Sequence, residues 1–270
     1  THCISSAASD VYKRQEEQLF PADTSEEEIE EMNAAQMQGS QKNSIAVGLR
    51  STGATVPQVN VVGSIATKLP AKGKLELEDE IVSVDGSRTR TVADIVDKIS
   101  DRSPGDDVEI VVRRDGRLRT VKLTTADLGD GRAGVGIGVE PQYDYPVEVR
   151  IDAGRVGGPS AGMMFALAVR DRLTPGAMTG GQRIAGTGTI DDAGVVGPIG
   201  GIAQKMVGAH DAGARWFLAP ESNCGDVVGH VPEGLTVVPV GDFDDATEAV
   251  EDIAKGETAD FATCEDVVAR

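Results

Sequence analysis

The chain is short of basic residues, short of aromatic ones and without a long apolar run. Lys and Arg number 26 against 44 Asp and Glu, a formal charge of −18. Binding a nucleic-acid backbone needs a basic face, which this balance does not supply, so no nucleic-acid partner is expected. Aromatics make up 3%, which leaves the cores to Val, Ile, Leu and Ala. No apolar stretch approaches the roughly 20 residues of a membrane-spanning helix. Membrane attachment would therefore need a segment outside this sequence. The three cysteines and three histidines form no CxxC and no zinc-ligand spacing, so no metal site is expected. No GxxxxGK[ST] loop occurs, which removes the usual phosphate cradle of an ATP-driven motor. No cofactor is expected.

What is present divides along the chain. Residues 1–15 include "SSAASDVYKRQ", which is similar to an in-frame translation of a sequencing-library adapter, and they are set aside as non-native. Residues 16–45 are acidic and rich in Gln and Asn. Ser25 with Glu28 has the spacing of a capping box, so a solvated helix or linker is expected. Residues 46–126 alternate short β-branched runs with one amphipathic segment. There Val92, Ile95, Val96 and Ile99 recur at i, i+3, i+4 and i+7 behind a capping Thr91. Asp115-Gly116 marks a hairpin.

Within that stretch, "GKLELEDEIVSVDG" followed by the helix and "SPGDDVEIVVRRDG" resembles bacterial PDZ domains. Their pattern has Gly before the Asp of the second motif, where this chain has Glu78 before Asp79. The resemblance implies binding of an extended peptide by strand addition. The implied groove lies between the strand at Val61, Val62 and Gly63 and the helix at Val92 and Val96. A spacer domain that binds nothing is the bland alternative.

Beyond residue 126 strands alternate with helices, an α/β pattern. "RVGGPSAGMMFALAV" places Ser160 at the front of an apolar helix. Such a serine can cap the helix, help bind an anion at its N-terminus, or react. The residues alone leave all three open. A nucleophile needs a base, and neither His210 nor His230 stands in a convincing triad pattern. Lys205 flanks the stripe Ile202, Met206 and Ala209. Withdrawal of a lysine from water favours its neutral, basic form. Snorkelling of the ammonium to solvent is the alternative.

"GGPSAG", then "TGTID", then the lysine of "GPIGGIAQK" 45 residues after the serine, then "AGARWFLAPESN", together resemble the proteolytic domain of Lon-type proteases. The resemblance implies a serine endopeptidase that needs no ATP, with Ser160 as nucleophile and Lys205 as general base. It also implies that Thr187 orients the lysine, and that backbone groups of Gly158, Ser160 and Ala161 form the oxyanion site. Gly157 stands where many members carry an acidic residue. The expected fold class is α/β (α+β) in two domains: a small PDZ β-barrel-like module with helices, then a Lon-type proteolytic α/β domain over 127–256 and a tail over 257–270. PDZ-linked Lon-like proteins are typically anchored in the bacterial envelope by an upstream helix and face outward. Ring-forming homo-oligomers and unfolded or extended peptide substrates are also implied.

Two rival functions keep a place. One is a phosphate- or nucleotide-binding enzyme using the GGPSAG loop with Arg155; the other is a PDZ adaptor on an inactive scaffold. Cys224 and Cys264 are either unrelated thiols or a disulfide that pins the tail, the latter requiring an oxidising compartment.

Overall fold

The computed structural model describes residues 26–129, 131–154 and 158–270. The non-native stretch expected over 1–15, the capping Ser25, Arg155 and Gly157 lie outside the described residues.

Helix α1, Glu26–Ser51, runs through the boundary expected at residue 45, and its second half is not solvated. Met37, Ser40, Ser44 and Val47 are all buried, at the i, i+3, i+7 and i+10 spacing of one helical face. Two of those four are serines, which hides the face from any search for an apolar stripe.

The first domain is a twisted antiparallel sheet closed on one side by a helix. Its main strands are β1 (Gln58–Ile65), β2 (Glu80–Val84), β4 (Asp107–Arg114), β5 (Arg117–Thr124) and β8 (Ile137–Tyr143). They lie in the order β5-β4-β2-β1-β8, with the two-residue β3 (Ser87–Arg88) on β2. Helix α2, Val92–Ser100, starts in a reciprocal capping box between Thr91 and Asp94. It buries Ile95 and Ile99 against Val62, Ile81, Val84, Ile110 and Leu123. The last strand of this sheet comes from 137–143, past the boundary expected at residue 126. The short pair β6 (Ala126–Asp127) and β7 (Ala133–Gly134) precedes it.

The second domain has a three-layer arrangement. Strands β9 (Ile184–Gly186), β12 (Trp216–Pro220) and β13 (Thr236–Val240) are parallel with β12 central. Alternate residues of β12 feed opposite faces, as a strand's period of two requires. Leu218 joins Met163, Ala166 and Leu167 of α3 (Gly162–Leu173) and Ala246 and Val250 of α6 (Phe243–Lys255). Phe217 and Ala219 join Ile202 and Met206 of α4 (Ile202–Asp211), Val227 of α5 (Cys224–Val227) and Cys264 of α7 (Cys264–Val268). The hairpin β10 (Thr189–Ile190) and β11 (Val196–Gly197) stands apart from this sheet. Cys224 and Cys264 are joined as a disulfide across 40 residues. Closing a loop of that length contributes about 4 kcal/mol in chain-entropy terms.

Glu78 adopts φ +66°, a left-handed conformation that glycine takes at little cost. That accounts for the glycine in the family pattern. The next residue, Asp79, is buried, and Arg114 grips both its oxygens at 2.6 Å. Burial alone pushes this carboxyl up, but the Arg114 hydrogen bonds, the Glu76 N–H and the guanidinium charge outweigh it and hold the carboxyl below its ordinary value. A depressed folded pKa gives stability that is fully present above the unfolded value near ~3.9 and is lost as pH falls through the folded one. Asp79→Asn should therefore remove the acid-side decline of the first domain that this group causes. It should also cost about 1.5–3 kcal/mol at neutral pH by weakening the charge-assisted bonds to Arg114, which keeps Glu76 and the Lys74 carbonyl as partners. Urea melts between pH 2 and 7 measure both effects.

Candidate active site

Ser160 sits in a single 3-10 turn, Pro159–Ala161, that leads directly into α3. Gly158, at φ +75°, opens the turn without a side-chain cap. Pro159 has no N–H, and in an i→i+3 turn the third residue is the first whose N–H is used internally. The Ser160 N–H is thus the donor that the turn leaves over, beside the hydroxyl.

Hydrogen bonds from outside hold three carbonyls in and just after the turn, those of Pro159, Ser160 and Gly162. Ser40 Oγ of α1 donates to the Pro159 carbonyl at 3.1 Å, and Ser44 Oγ shares its proton between the Gly162 carbonyl at 2.8 Å and the Ser40 carbonyl at 2.6 Å. The Ser160 carbonyl accepts from the Gly188 N–H at 2.8 Å and from Thr187 Oγ1 at 2.9 Å. Lys205, half-buried in the first turn of α4, brings its Nζ to 3.0 Å from Ser160 Oγ. Ile202 and Met206 on either side of it are buried, so the apolar face anchors the helix while the lysine reaches along it. Among the described residues no carboxylate forms an ion pair with Lys205. His210 lies 3.5 Å from Asp211 at the far end of α4, and His230 lines a separate surface hollow with Gln204 and Val207.

Thr187, expected to orient Lys205, donates its hydroxyl proton to the Ser160 carbonyl and so holds the backbone of Ser160. Another support comes from Asn223, whose side-chain amide bonds both the N–H and the carbonyl of Ile199 at 2.9 Å. This fixes the segment that leads into α4. Sequence reasoning missed Asn223, Ser40 and Ser44, because the only signal was polarity at positions that turn out to be buried.

The peptide groove is also relocated. Val61 and Val62 are buried, and Gly63 faces the Glu140 side chain. Their strand, β1, pairs with β2 on one side and β8 on the other. Strand addition needs an edge with unspent backbone groups, and of this sheet's two edges, β5 and β8, it is β8 that lies beside α2. A cavity of about 140 Å³ lies between α2 and β8, lined by Ile95, Val96, Ile99, Val135, Ile137 and Val139. Val96 is on its wall. Val92 is not, because it sits at the first turn of α2 with its N–H bonded elsewhere. The strand "GVGIGV" reads in sequence as the start of the next domain, since it follows the recognisable motifs.

These features define the class: a sheet-and-helix module with an apolar groove, joined to an α/β domain that carries a serine and a lysine in hydrogen-bond contact. Residues 36–125 match the PDZ domain family, and residues 134–251 match the Lon protease (S16) C-terminal proteolytic domain. The chain thus carries a PDZ domain followed by a Lon C-terminal proteolytic domain. Among curated relatives, Lon protease 1 of Bacillus subtilis is 30% identical over 202 residues, 72% of this chain and 26% of that protein. A Lon protease of Chloroflexus aurantiacus is 36% identical over 116 residues, 40% of this chain and 14% of that protein. The chain spans about a quarter or less of the length of these two relatives. A solved PDZ domain of an SdrC-like protein from Listeria monocytogenes covers 30% of this chain and is itself 85% covered, at 23% identity and a TM-score of 0.29. The family matches support a peptidase.

The close approach of α1 to the nucleophile turn depends on Gly162. A Cβ there would stand 2.6 Å from Ser40 Oγ and 3.1 Å from the Ile190 backbone nitrogen. Gly162→Ala should cost about 1–3 kcal/mol by forcing the two apart. Thermal denaturation of the full chain measures the loss.

Proposed function

We propose that this chain hydrolyses peptide bonds with a Ser160–Lys205 dyad and that its PDZ domain recruits the substrate. The observation that carries the reading is the 3.0 Å contact between Lys205 Nζ and Ser160 Oγ, within the reach a base needs to take a proton. Lys205 accepts the hydroxyl proton as Oγ bonds to the scissile carbonyl carbon. The resulting oxyanion is met by the Ser160 N–H, with Gly158 as the second backbone donor; Ala161, expected to join them, spends its N–H within the turn. Collapse breaks the C–N bond, and Lys205 returns the proton to the leaving amine. Water then attacks the acyl-enzyme, giving a proton to Lys205 and, at the end, restoring the Ser160 hydroxyl.

Substrates are unfolded or extended polypeptides, and the apolar lining between α2 and β8 favours a C-terminal apolar residue in the groove. Assembly into a ring and attachment to the bacterial envelope through an upstream segment belong to the same proposal. The Cys224–Cys264 disulfide supports an oxidising, extracytoplasmic setting. Among the described residues no helix is long and apolar enough to cross a membrane.

Digestion of casein and of a peptide library tests the dyad. Ser160→Ala and Lys205→Ala should each lower turnover by on the order of 10³-fold or more. Lys205→Arg should be equally inactive, since a guanidinium keeps the hydrogen bond but does not give up its proton. Retained turnover in Ser160→Ala or Lys205→Arg contradicts the assignment.

A further inference from the structure

Asp192 belongs to the proteolytic domain, in the turn between β10 and β11, yet its buried carboxylate serves the PDZ domain. It is 4% exposed. Its Oδ2 accepts the N–H of Val92, the first residue of α2, at 2.9 Å, and also accepts from Gln58 Nε2 of β1. A carboxylate at that point meets both an unused helix donor and the positive end of the helix dipole. Arg50, near the end of α1, donates to the Asp192 carbonyl at 2.9 Å and to Gln58 Oε1 at 2.8 Å, and stands 5.5 Å over the Tyr143 ring.

The opposite wall of the groove is held by the same cluster. Tyr143 ends β8 and donates its hydroxyl to Asn43 of α1 at 2.7 Å, and Asn43 donates to the Ile190 carbonyl of β10 at 3.2 Å. Burial, reinforced by the Asp192 charge, raises the Tyr143 phenol, so it remains a donor throughout the working pH range. Both walls of the groove, α2 and β8, are therefore tied to one hairpin of the proteolytic domain. That hairpin begins one residue after Gly188, whose N–H holds the Ser160 carbonyl.

We propose that Asp192 docks the peptide groove rigidly onto the domain of the Ser160–Lys205 pair, so that groove and dyad form one composite site that cuts an anchored chain at a fixed span from its end. This rests on the peptidase reading above and adds a geometric rule to it. A flexibly tethered PDZ domain raises local concentration over a broad range of spacer lengths. A docked one selects a spacer. The hairpin does not itself need the Asp192 carboxylate. Asp191 Oδ1 already accepts the N–H groups of Ala193 and Val195 at 2.9 and 2.8 Å, and the Val196 N–H bonds Gly241.

The test uses the full chain and fluorogenic peptides with one scissile segment, a Gly/Ser spacer of varied length and a C-terminal Val, beside a short peptide without the anchor. Wild type should show a sharp KM minimum at one spacer length. Asp192→Ala should raise KM at that length about tenfold and flatten the profile, leaving kcat/KM for the short peptide unchanged. A flat wild-type profile, or an equal loss on anchored and unanchored peptides, overturns the proposal. A readout independent of turnover comes from residual dipolar couplings of the full chain. Wild type should need one alignment tensor for both domains and Asp192→Ala two. A single shared tensor in the variant also overturns the dock. Absence of all peptide cleavage by wild type would defeat the peptidase reading instead, and the couplings would still decide the dock.

Discussion

Everything at the proposed site depends on how the backbone around Ser160 is held. Pro159, Ser160 and Gly162 present carbonyls tied to two elements: Ser40 and Ser44 of α1 hold the first and third, Gly188 and Thr187 from the approach to β10 the second. A serine hydroxyl rotates freely, so its aim is set by the backbone beneath it and by the one group it meets, Lys205. In the proposed mechanism, fixing the carbonyls lets Ser160 face Lys205 without a reorganisation step, which is where preorganised sites gain most.

The same helix that braces this turn also reaches the PDZ domain. Over its last three turns α1 passes from Ser40 and Ser44, beneath the nucleophile, to Arg50, beside Asp192, Gln58 and Tyr143. Gly48 allows that run to lie close to α3, since a Cβ there would fall 2.7 Å from Val169 Cβ. One helix thus connects the sheet-and-helix module to the turn that carries Ser160. The acidic, Gln-rich beginning of the chain therefore leads into a structural strut.

Much of this was legible in the sequence. The order "GGPSAG", "TGTID", "GPIGGIAQK" identified the second domain, because its chemistry rests on residue types that few alternatives share. Thr91 and the 3.6-residue period of Val92, Ile95, Val96 and Ile99 marked α2 for the same local reason. What was hidden follows a different physics. Ser40, Ser44 and Asn223 are polar residues made structural by long-range hydrogen bonds, and no local pattern reports that a serine will be buried. The groove strand was misassigned because strand pairing is set by tertiary register. β8 is separated by about 70 residues of chain from β1, its partner, and its glycine-rich run looked like a domain start. Glu78 went the other way: the departure from a family glycine was visible, and its φ of +66° shows which backbone demand the glycine meets.

The most direct test of the central claim, that Lys205 activates a backbone-fixed Ser160, is covalent labelling followed by peptide mass mapping. A serine-directed acylating probe should modify Ser160 alone in the wild-type chain. Lys205→Arg should abolish the labelling while the thermal stability of the chain is kept. Labelling of Ser160 at the wild-type rate in Lys205→Arg, or modification of another serine in its place, would contradict the account.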